Sequence, residues 1–315
     1  FGKTWTREAL RARVGRLDQL GGLQPMRIAG GPGDGMEIVR LRTGAGLSCD
    51  LVPSHALDIS LATFADAALS WQGPPGLVHP AYGEDRGLRW LRTAAGGLLM
   101  TCGPSQVGAP CEEGGEALGL HGRMHHLPAQ IIEMRADWQG DEVVLRVSGV
   151  VEDAALLGAC VRVTRTWEAR LGENRLALRD VVENTGYESV PHMWLYHFNL
   201  GFPLLTEQAR IDWPAAEVTP RDEGTPMDAL DAWQAPEAGY AERVYYREGL
   251  EPEPDGRCRV RVRQPAFPLP GGARPVEAAW AWDPEQLPVL VQWRMPAAGA
   301  HVLGVEPANC HVEGR

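Results

Sequence analysis

The stretch that decides the fold reads EVVLRVSGVV at residues 142–151, CVRVTRTWEA at 160–169 and RLALRDVVE at 175–183. Apolar and polar residues alternate over much of these runs. This pattern is typical of half-buried β-strands, because successive side chains of a strand point to opposite faces. Turn-forming residues punctuate the gaps between the runs. The stretch therefore predicts consecutive antiparallel strands.

Similar strand signals extend in both directions, at residues 36–42, 47–52, 97–102, 130–138, 258–263, 276–282, 288–295 and 301–305. A short helix is predicted over residues 4–14, capped by Thr4 or Thr6, and loops over 30–35 and 214–256. Long amphipathic helices and a repeat of fixed period do not stand out, which disfavours βαβ units and propellers. We predict an all-β fold, a large antiparallel β-sandwich with few short helices, forming a single domain over residues 1–315.

The composition excludes several classes of function. The net charge of −11 and the absence of a basic block argue against a nucleic-acid partner. No apolar run approaches the roughly 18 residues needed to span a bilayer, so no membrane partner is expected. Lys3 is the only lysine, which excludes enzymes that need a buried lysine as a Schiff base. None of the six cysteines are spaced as C-x-x-C, so we expect reduced thiols in a cytoplasmic protein.

Three histidines and an arginine crowd into GLHGRMHH at residues 119–126. His121 and His125 would share one face of a helix, which suggests a zinc site. However, the H-E-x-x-H pattern is missing and the flanking glycines favour a loop or strand edge. A second interpretation is a set of loop histidines bonded to the backbone. We prefer a third, in which imidazole and guanidinium donors form the edge of a sugar-binding site.

Two later segments contain candidates for proton transfer. In PHMWLYHFNLGFP at residues 191–203, His197 and Asn199 would point to the same face of a strand. In GVEPANC at 304–310, Glu306 follows an apolar run and precedes a proline, where a turn would aim the carboxylate outward as a base. Taken singly, a backbone-bonded buried histidine and a surface glutamate are the commoner interpretations.

Taken in order, these segments resemble the aldose 1-epimerase (galactose mutarotase) superfamily. The likeness spans roughly residues 36–312 and is carried by Leu120-His121-Gly122, His197-Phe198-Asn199-Leu200 and Glu306-Pro307. The chain departs from the family pattern because His197 adjoins Phe198 instead of preceding it by two further residues. The segment after Leu120-His121-Gly122 also differs. With Ser70-Trp71 and His79-Pro80, these features resemble a branch described as a domain of unknown function, related to deoxyribose mutarotase.

The resemblance implies the galactose mutarotase-like supersandwich fold, here without its last strands, and a mutarotase that needs no cofactor and no metal. It implies that Glu306, as a carboxylate, takes the proton of the anomeric hydroxyl of a small-molecule sugar. His197, as an imidazolium, would protonate the ring oxygen. The residues expected to bind the sugar are His121, Arg123, Asn199, Asn309, His79, Trp71 and His125.

Several alternatives stay open from the sequence. The altered spacing around His197 leaves a histidine of residues 121–126 as an alternative acid. The chain could instead be a non-catalytic carbohydrate-binding or regulatory module on the same fold. It could also be a metal enzyme using His121, His125, His126 and perhaps His79.

The identity of the sugar is also open. A phosphorylated sugar would require a cluster of cationic side chains to hold the phosphate. The candidates for such a cluster are Arg123, Arg89 and Arg92, whose relative positions the sequence does not give.

Overall fold

The computed structural model describes residues 5–315, and most of the regular structure in this range is β-strand. One α-helix, α1, spans Arg7–Arg11, and 3₁₀ turns lie at Leu17–Gln19, Pro53–His55, Pro80–Tyr82, Arg89–Arg92 and Met124–His126. The strands are β1 (Gly22–Arg27), β2 (Glu37–Arg42), β3 (Leu47–Val52), β4 (Asp58–Phe64), β5 (Ala67–Ala68), β6 (Leu99–Cys102), β7 (Cys111–Glu113), β8 (Glu116–Leu118), β9 (Ala129–Gln139), β10 (Glu142–Ala154), β11 (Cys160–Arg170), β12 (Leu176–Asn184), β13 (Leu195–Leu200), β14 (Arg210–Asp212), β15 (Glu217–Pro220), β16 (Arg243–Glu248), β17 (Cys258–Leu269), β18 (Gly272–Trp282), β19 (Val289–Met295) and β20 (Val302–Ala308).

The strands assemble into antiparallel sheets. Their hydrogen-bonded orders are β1-β2-β3-β4-β5, β12-β11-β10-β9, β15-β16-β19-β20-β13-β6 and β14-β17-β18, with β7 and β8 forming a separate hairpin. Val39, Val147, Val260 and Leu303 come from four different sheets and belong to one buried apolar cluster. The prediction of an all-β, antiparallel architecture with few short helices is therefore confirmed.

The runs at residues 142–183 form β10, β11 and β12 in consecutive antiparallel register. Val147 pairs with Trp167, and Trp167 pairs with Leu178 on the next strand. The Trp167 indole N–H also donates to the backbone oxygen of Leu57, 2.8 Å away. The alternating pattern thus buries one face of this sheet and joins it to the β1–β5 sheet.

The N-terminal helix is shorter than the predicted 4–14. The Thr6 hydroxyl accepts a hydrogen bond from the N–H of Ala9, which makes Thr6 the N-cap. Leu10 is buried but Val14 is only half-buried, so a single apolar side chain anchors this segment. Thr4, the alternative cap, and Lys3 lie outside the described residues.

The predicted loop at 214–256 requires correction, because it contains β15 and β16. Val244 and Tyr246 of β16 are buried in an apolar cluster with residues of β13, β19 and β20. Their burial outweighs the turn-forming composition around them.

The six cysteines, which all fall within the described range, are free thiols. Nowhere in residues 5–315 is there a helix of the length and hydropathy required to cross a membrane.

Candidate active site

The predicted catalytic pair lies on two neighbouring strands of the six-stranded sheet. The register of β13 and β20 places Asn199 opposite Gly304, and His197 opposite Glu306. Nε2 of His197 lies 3.2 Å from Oε1 of Glu306. Only 6% of His197 and 2% of Glu306 is exposed. The sheet therefore brings an imidazole and a carboxyl together where water has little access.

The next row across the same face consists of Asn199 on β13, Gly304 on β20 and Trp293 on β19. A Cβ atom on Gly304 would lie 2.1 Å from Oε1 of Glu306 and 2.9 Å from Cβ of Trp293. The carboxyl of Glu306 thus occupies the space above Gly304. Glycine is needed here because of this close approach, since its φ lies outside the left-handed region.

Burial moves both members of the pair towards their uncharged forms. It raises the pKa of Glu306 well above its usual value, and the negative charge of Glu242 adds to this effect. Burial, together with the neighbouring His121, lowers the pKa of His197 well below its usual value, and Asn199 partly offsets this lowering. The favoured state is therefore a neutral carboxyl beside a neutral imidazole, in which the pair shares one exchangeable proton beyond the N–H of the imidazole.

His121 stands edge-on against His197, with ring centroids 5.7 Å apart and an interplanar angle of 86°. On its other side it contacts Trp90, at 5.1 Å between centroids. Burial, reinforced by His125, lowers the pKa of His121 to about 4, so its ring is neutral near pH 7. Nδ1 of His121 accepts a hydrogen bond from the N–H of Gly108 at 3.3 Å. This bond assigns the ring proton to Nε2, which can act as a donor.

A buried chain of charged side chains supports His125. Its Nδ1 lies 2.7 Å from Oδ2 of Asp58, and Asp58 binds Arg165. Arg165 in turn binds Asp180 at 2.7 Å, and the Tyr196 hydroxyl donates to Asp180 at 2.8 Å. Burial alone would raise the pKa of Asp58, but Arg165 and His125 outweigh it and lower that pKa. The ionised carboxylate accepts the Nδ1 proton of His125 and so fixes the orientation of that ring.

Buried polar atoms that lack a hydrogen-bond partner within the described residues concentrate at and beside this site. They include Nδ1 of His197, Oδ1 of Asn199, Nε2 of His125 and Nε1 of Trp90. Oε1 of Glu306 is also among them, because its 3.2 Å contact with Nε2 of His197 does not have the geometry of a hydrogen bond. Most buried polar groups in proteins are paired, so such a concentration calls for an explanation. A ligand that carries several hydroxyl groups would supply both donors and acceptors to these atoms.

Two predicted sugar-binding residues are held by protein groups instead. The guanidinium of Arg123 lies 3.5 Å from Asp153 and 3.7 Å from Asp85, and its side chain is half-exposed. Nδ1 of His79 accepts from the N–H of Ala81 and caps the 3₁₀ turn that follows. Their contacts with a sugar therefore stay predictions.

Asn309 and Trp71 also have structural contacts. The amide of Asn309 accepts from the N–H of Trp194 at 2.7 Å and donates to the oxygen of His192 at 3.1 Å, which holds the segment before β13. The backbone N–H of Trp71 donates to the oxygen of Asn199, and its ring lies over Gly96. Trp71 is thus tied by its backbone to β13, and its sugar contact stays a prediction.

Sequence reasoning did not single out Trp293 or Gly304. The Trp293 ring meets His197 edge-on at 5.4 Å, and its Nε1 donates to Glu242 at 3.0 Å. A signal for Gly304 existed, since it stands two residues before Glu306 and so shares its face of the strand. Trp293 offered no comparable signal, because only the register of β19 against β20 places it in this row.

The metal-site interpretation of the histidine cluster finds no support in the geometry of the described residues. Among residues 5–315, no three His, Cys, Asp or Glu side chains are arranged to hold a metal ion. Nε2 of His126 is instead bonded to the hydroxyl of Thr93 at 2.9 Å. His125 is bonded to Asp58 as described above.

The antiparallel sheets and their shared core place the protein in the class of galactose mutarotase-like folds. The similar solved structures include a Klebsiella pneumoniae protein provisionally described as an aldose 1-epimerase, with a TM-score of 0.84, 21% identity and coverage of 98% of this chain and 83% of that one. A galactose mutarotase-like protein from Clostridium acetobutylicum has a TM-score of 0.56, 10% identity and coverage of 92% and 88%. A galactose mutarotase related enzyme from Lactobacillus acidophilus has a TM-score of 0.53, 13% identity and coverage of 84% and 83%.

Within this class, the chain belongs to the family described as Domain of unknown function (DUF4432), whose sequence profile matches residues 33–315. No curated protein matches the sequence. The resemblance inferred from the three motifs is thus confirmed at the level of fold and family.

Proposed function

We propose that this protein is an aldose 1-epimerase, or mutarotase, that interconverts the anomers of a free sugar. The observation that carries the proposal is the contact between Nε2 of His197 and Oε1 of Glu306, 3.2 Å apart and buried on adjacent strands. Mutarotation needs one acid and one base close together, and this pair can supply both. The descriptions of the Klebsiella and Clostridium proteins support the same reaction class.

The proposed reaction begins when one proton passes from Glu306 to His197 across their direct contact, which gives a carboxylate and an imidazolium. The sugar then enters between the two groups. Glu306 takes the proton of the anomeric hydroxyl, the C1–O5 bond breaks as the C1 carbonyl forms, and O5 takes a proton from His197. Rotation about C1–C2 and the reverse transfers then close the other anomer. Each group contributes about 10²–10⁴-fold to the rate.

The remaining polar groups fit roles in holding the sugar. Nε2–H of His121 would donate to an oxygen near the ring oxygen, because the His121 ring stands against that of His197. The unpaired Oδ1 of Asn199 would accept from a hydroxyl above Gly304. His125, held in place by Asp58, would turn its unpaired Nε2 to the sugar. The sugar contacts of Arg123, His79, Asn309 and Trp71 remain part of the proposal.

The charges around the site favour a sugar without phosphate. Arg123 is engaged by Asp85 and Asp153, and Arg89 lies 2.8 Å from Glu84. Among the nearby charges, Glu242 acts more strongly on Glu306 than Arg221, with which it is paired, and it would repel a phosphate. Phosphate recognition requires cationic donors that are free to converge.

The direct test is anomer exchange measured by exchange NMR or polarimetry on the purified protein. The panel contains pentoses, deoxypentoses, hexoses and the matching sugar phosphates. We expect acceleration for at least one free aldose and a value of kcat/KM at least roughly tenfold lower for its phosphate, a difference of about 1.4 kcal/mol. If no sugar is accelerated while calorimetry detects binding, the alternative of a non-catalytic carbohydrate-binding module is favoured.

The pH dependence provides a second test. The raised pKa of Glu306 and the lowered pKa of His197 keep one proton on the pair across neutral pH. A second proton is added only well below the ordinary histidine pKa of about 6.5, and the first is lost only well above the ordinary glutamic acid pKa of about 4.3. We expect kcat/KM to stay constant from about pH 6 to 8. An acid limb centred near pH 6.5 would contradict the assignment of this pair.

A further inference from the structure

We propose that Trp293 is the wall against which the apolar face of the sugar stacks, so that this residue sets how well a sugar binds. The inference rests on the proposed function, since it uses the position of the His197–Glu306 pair. It adds a binding surface formed by Asn199, Gly304 and Trp293, which we call the Gly304 row.

The geometry of the Gly304 row suits one sugar ring. Asn199 and Trp293 flank Gly304 on neighbouring strands, so their Cα atoms are two strand spacings apart, about 9.5 Å. Gly304 contributes no side chain, and Oε1 of Glu306 lies over it. A sugar placed here has the catalytic carboxyl below it, an unpaired amide oxygen on one side and an indole on the other.

Trp293 reaches from the buried pair to the surface. Its ring meets His197 edge-on at 5.4 Å, while its Nε1 donates to Oε2 of Glu242 at 3.0 Å. Glu242 is 48% exposed and is held by Arg221, which is 26% exposed, at 3.0 Å. Exposed ion pairs of this kind are weak. The Glu242–Arg221 pair can therefore orient the indole without holding it rigidly, so the ring can adjust when a sugar enters.

An indole in this position matches the chemistry of a sugar. One face of a sugar ring presents C–H groups, and tryptophan offers the largest flat apolar surface of any side chain. The other groups of the Gly304 row and the catalytic pair bind hydroxyl oxygens and hydrogens. Apolar and polar contacts would thus be divided between two sides of the same ligand.

The test compares Trp293→Leu, Trp293→Phe and the control Trp138→Leu, with the aldose that the wild type exchanges fastest. Trp138 packs in a separate apolar cluster with residues of β2, β10 and β11. We expect Trp293→Leu to raise KM roughly 5- to 20-fold, and Trp293→Phe by less because it keeps an aromatic ring. The effect on kcat should be smaller than that on KM. Trp138→Leu should change KM less than about twofold.

Calorimetry in a Glu306→Gln background separates binding from proton transfer. In that background, Trp293→Leu should raise the Kd for the same aldose by the same factor by which it raises KM. A loss of kcat with unchanged Kd would overturn the proposal, because Trp293 would then only support His197. If the wild type exchanges no aldose, the proposed function fails, and the aldose that binds most tightly by calorimetry is used instead. The absence of any sugar binding would overturn both.

Discussion

We expect Glu306→Gln to lower kcat for anomer exchange by about 10²–10⁴-fold. The amide has nearly the shape of the carboxyl and fits the same space over Gly304, but it neither takes nor gives a proton at neutral pH. The Kd for the sugar should change little, since an oxygen acceptor remains. Anomer exchange by NMR measures the rate, and calorimetry measures the Kd. Retention of more than about a tenth of the wild-type kcat would remove Glu306 from the proposed mechanism.

The same substitution should leave the fold intact, which is its internal control. Burial raises the pKa of Glu306 in the folded protein. Above the ordinary carboxyl pKa of about 4.3, the unfolded chain has lost a proton that the folded chain keeps, so this group lowers stability as pH rises. Glutamine removes that cost. The Tm of Glu306→Gln at pH 7–8 should equal or exceed that of the wild type. If the Tm falls instead, the lost activity would be explained by destabilisation of the fold.

Arg165→Met should produce the largest loss of stability, about 3–5 kcal/mol in the free energy of unfolding. Arg165 has no exposed side-chain surface and binds both Asp58 and Asp180. It also donates to the hydroxyl of Thr101 and the backbone oxygen of Ala56. Methionine fills a similar volume but leaves two buried carboxylates without their cation. Urea unfolding with fluorescence detection measures the change.

The pH dependence and a matched variant sharpen this prediction. The pKa of Asp58 is lowered in the fold, so its contribution to stability is present above the ordinary value of about 3.9 and is lost as pH falls below it. The difference between wild type and Arg165→Met should therefore shrink on acidification. Arg162→Met is the control on the same strand, because Arg162 is 46% exposed and pairs with the exposed Glu152. It should cost less than about 1 kcal/mol. Equal losses for the two variants would show that the buried network is not stabilising.

The strand pattern of β10 to β12 could be predicted because the information is local. Alternation of apolar and polar residues depends only on the two-residue period of a strand, and Trp167 follows it. The interior of residues 214–256 could not be predicted in the same way. There, β16 is short and lies within a turn-rich segment, so its identity depends on the apolar cluster that Val244 and Tyr246 join.

In the candidate site too, the sequence predicted individual residues, whereas their arrangement depended on contacts between distant segments. The motifs pointed to His197 and Glu306 as separate residues, and the sequence departure at His197 left its role open. The register of β13 against β20 puts these two side chains opposite each other, 3.2 Å apart. The sequence could not show which groups contact Arg123 and Asn309. In the structure, Arg123 lies beside Asp153, and Asn309 accepts a hydrogen bond from the N–H of Trp194.

The sequence by itself determined the all-β class, the resemblance to the fold and the choice of acid–base candidates, because alternation and the order of motifs are properties of the linear chain. Only the tertiary structure decided that Gly304 and Trp293 lie beside Glu306 and His197, that Asp58 orients His125, and that Arg123 is engaged by carboxylates. The physical reason is that strand register and burial are set by contacts between distant segments. Those contacts fix which side chains meet, and the burial they create shifts the pKa values of Glu306 and His197.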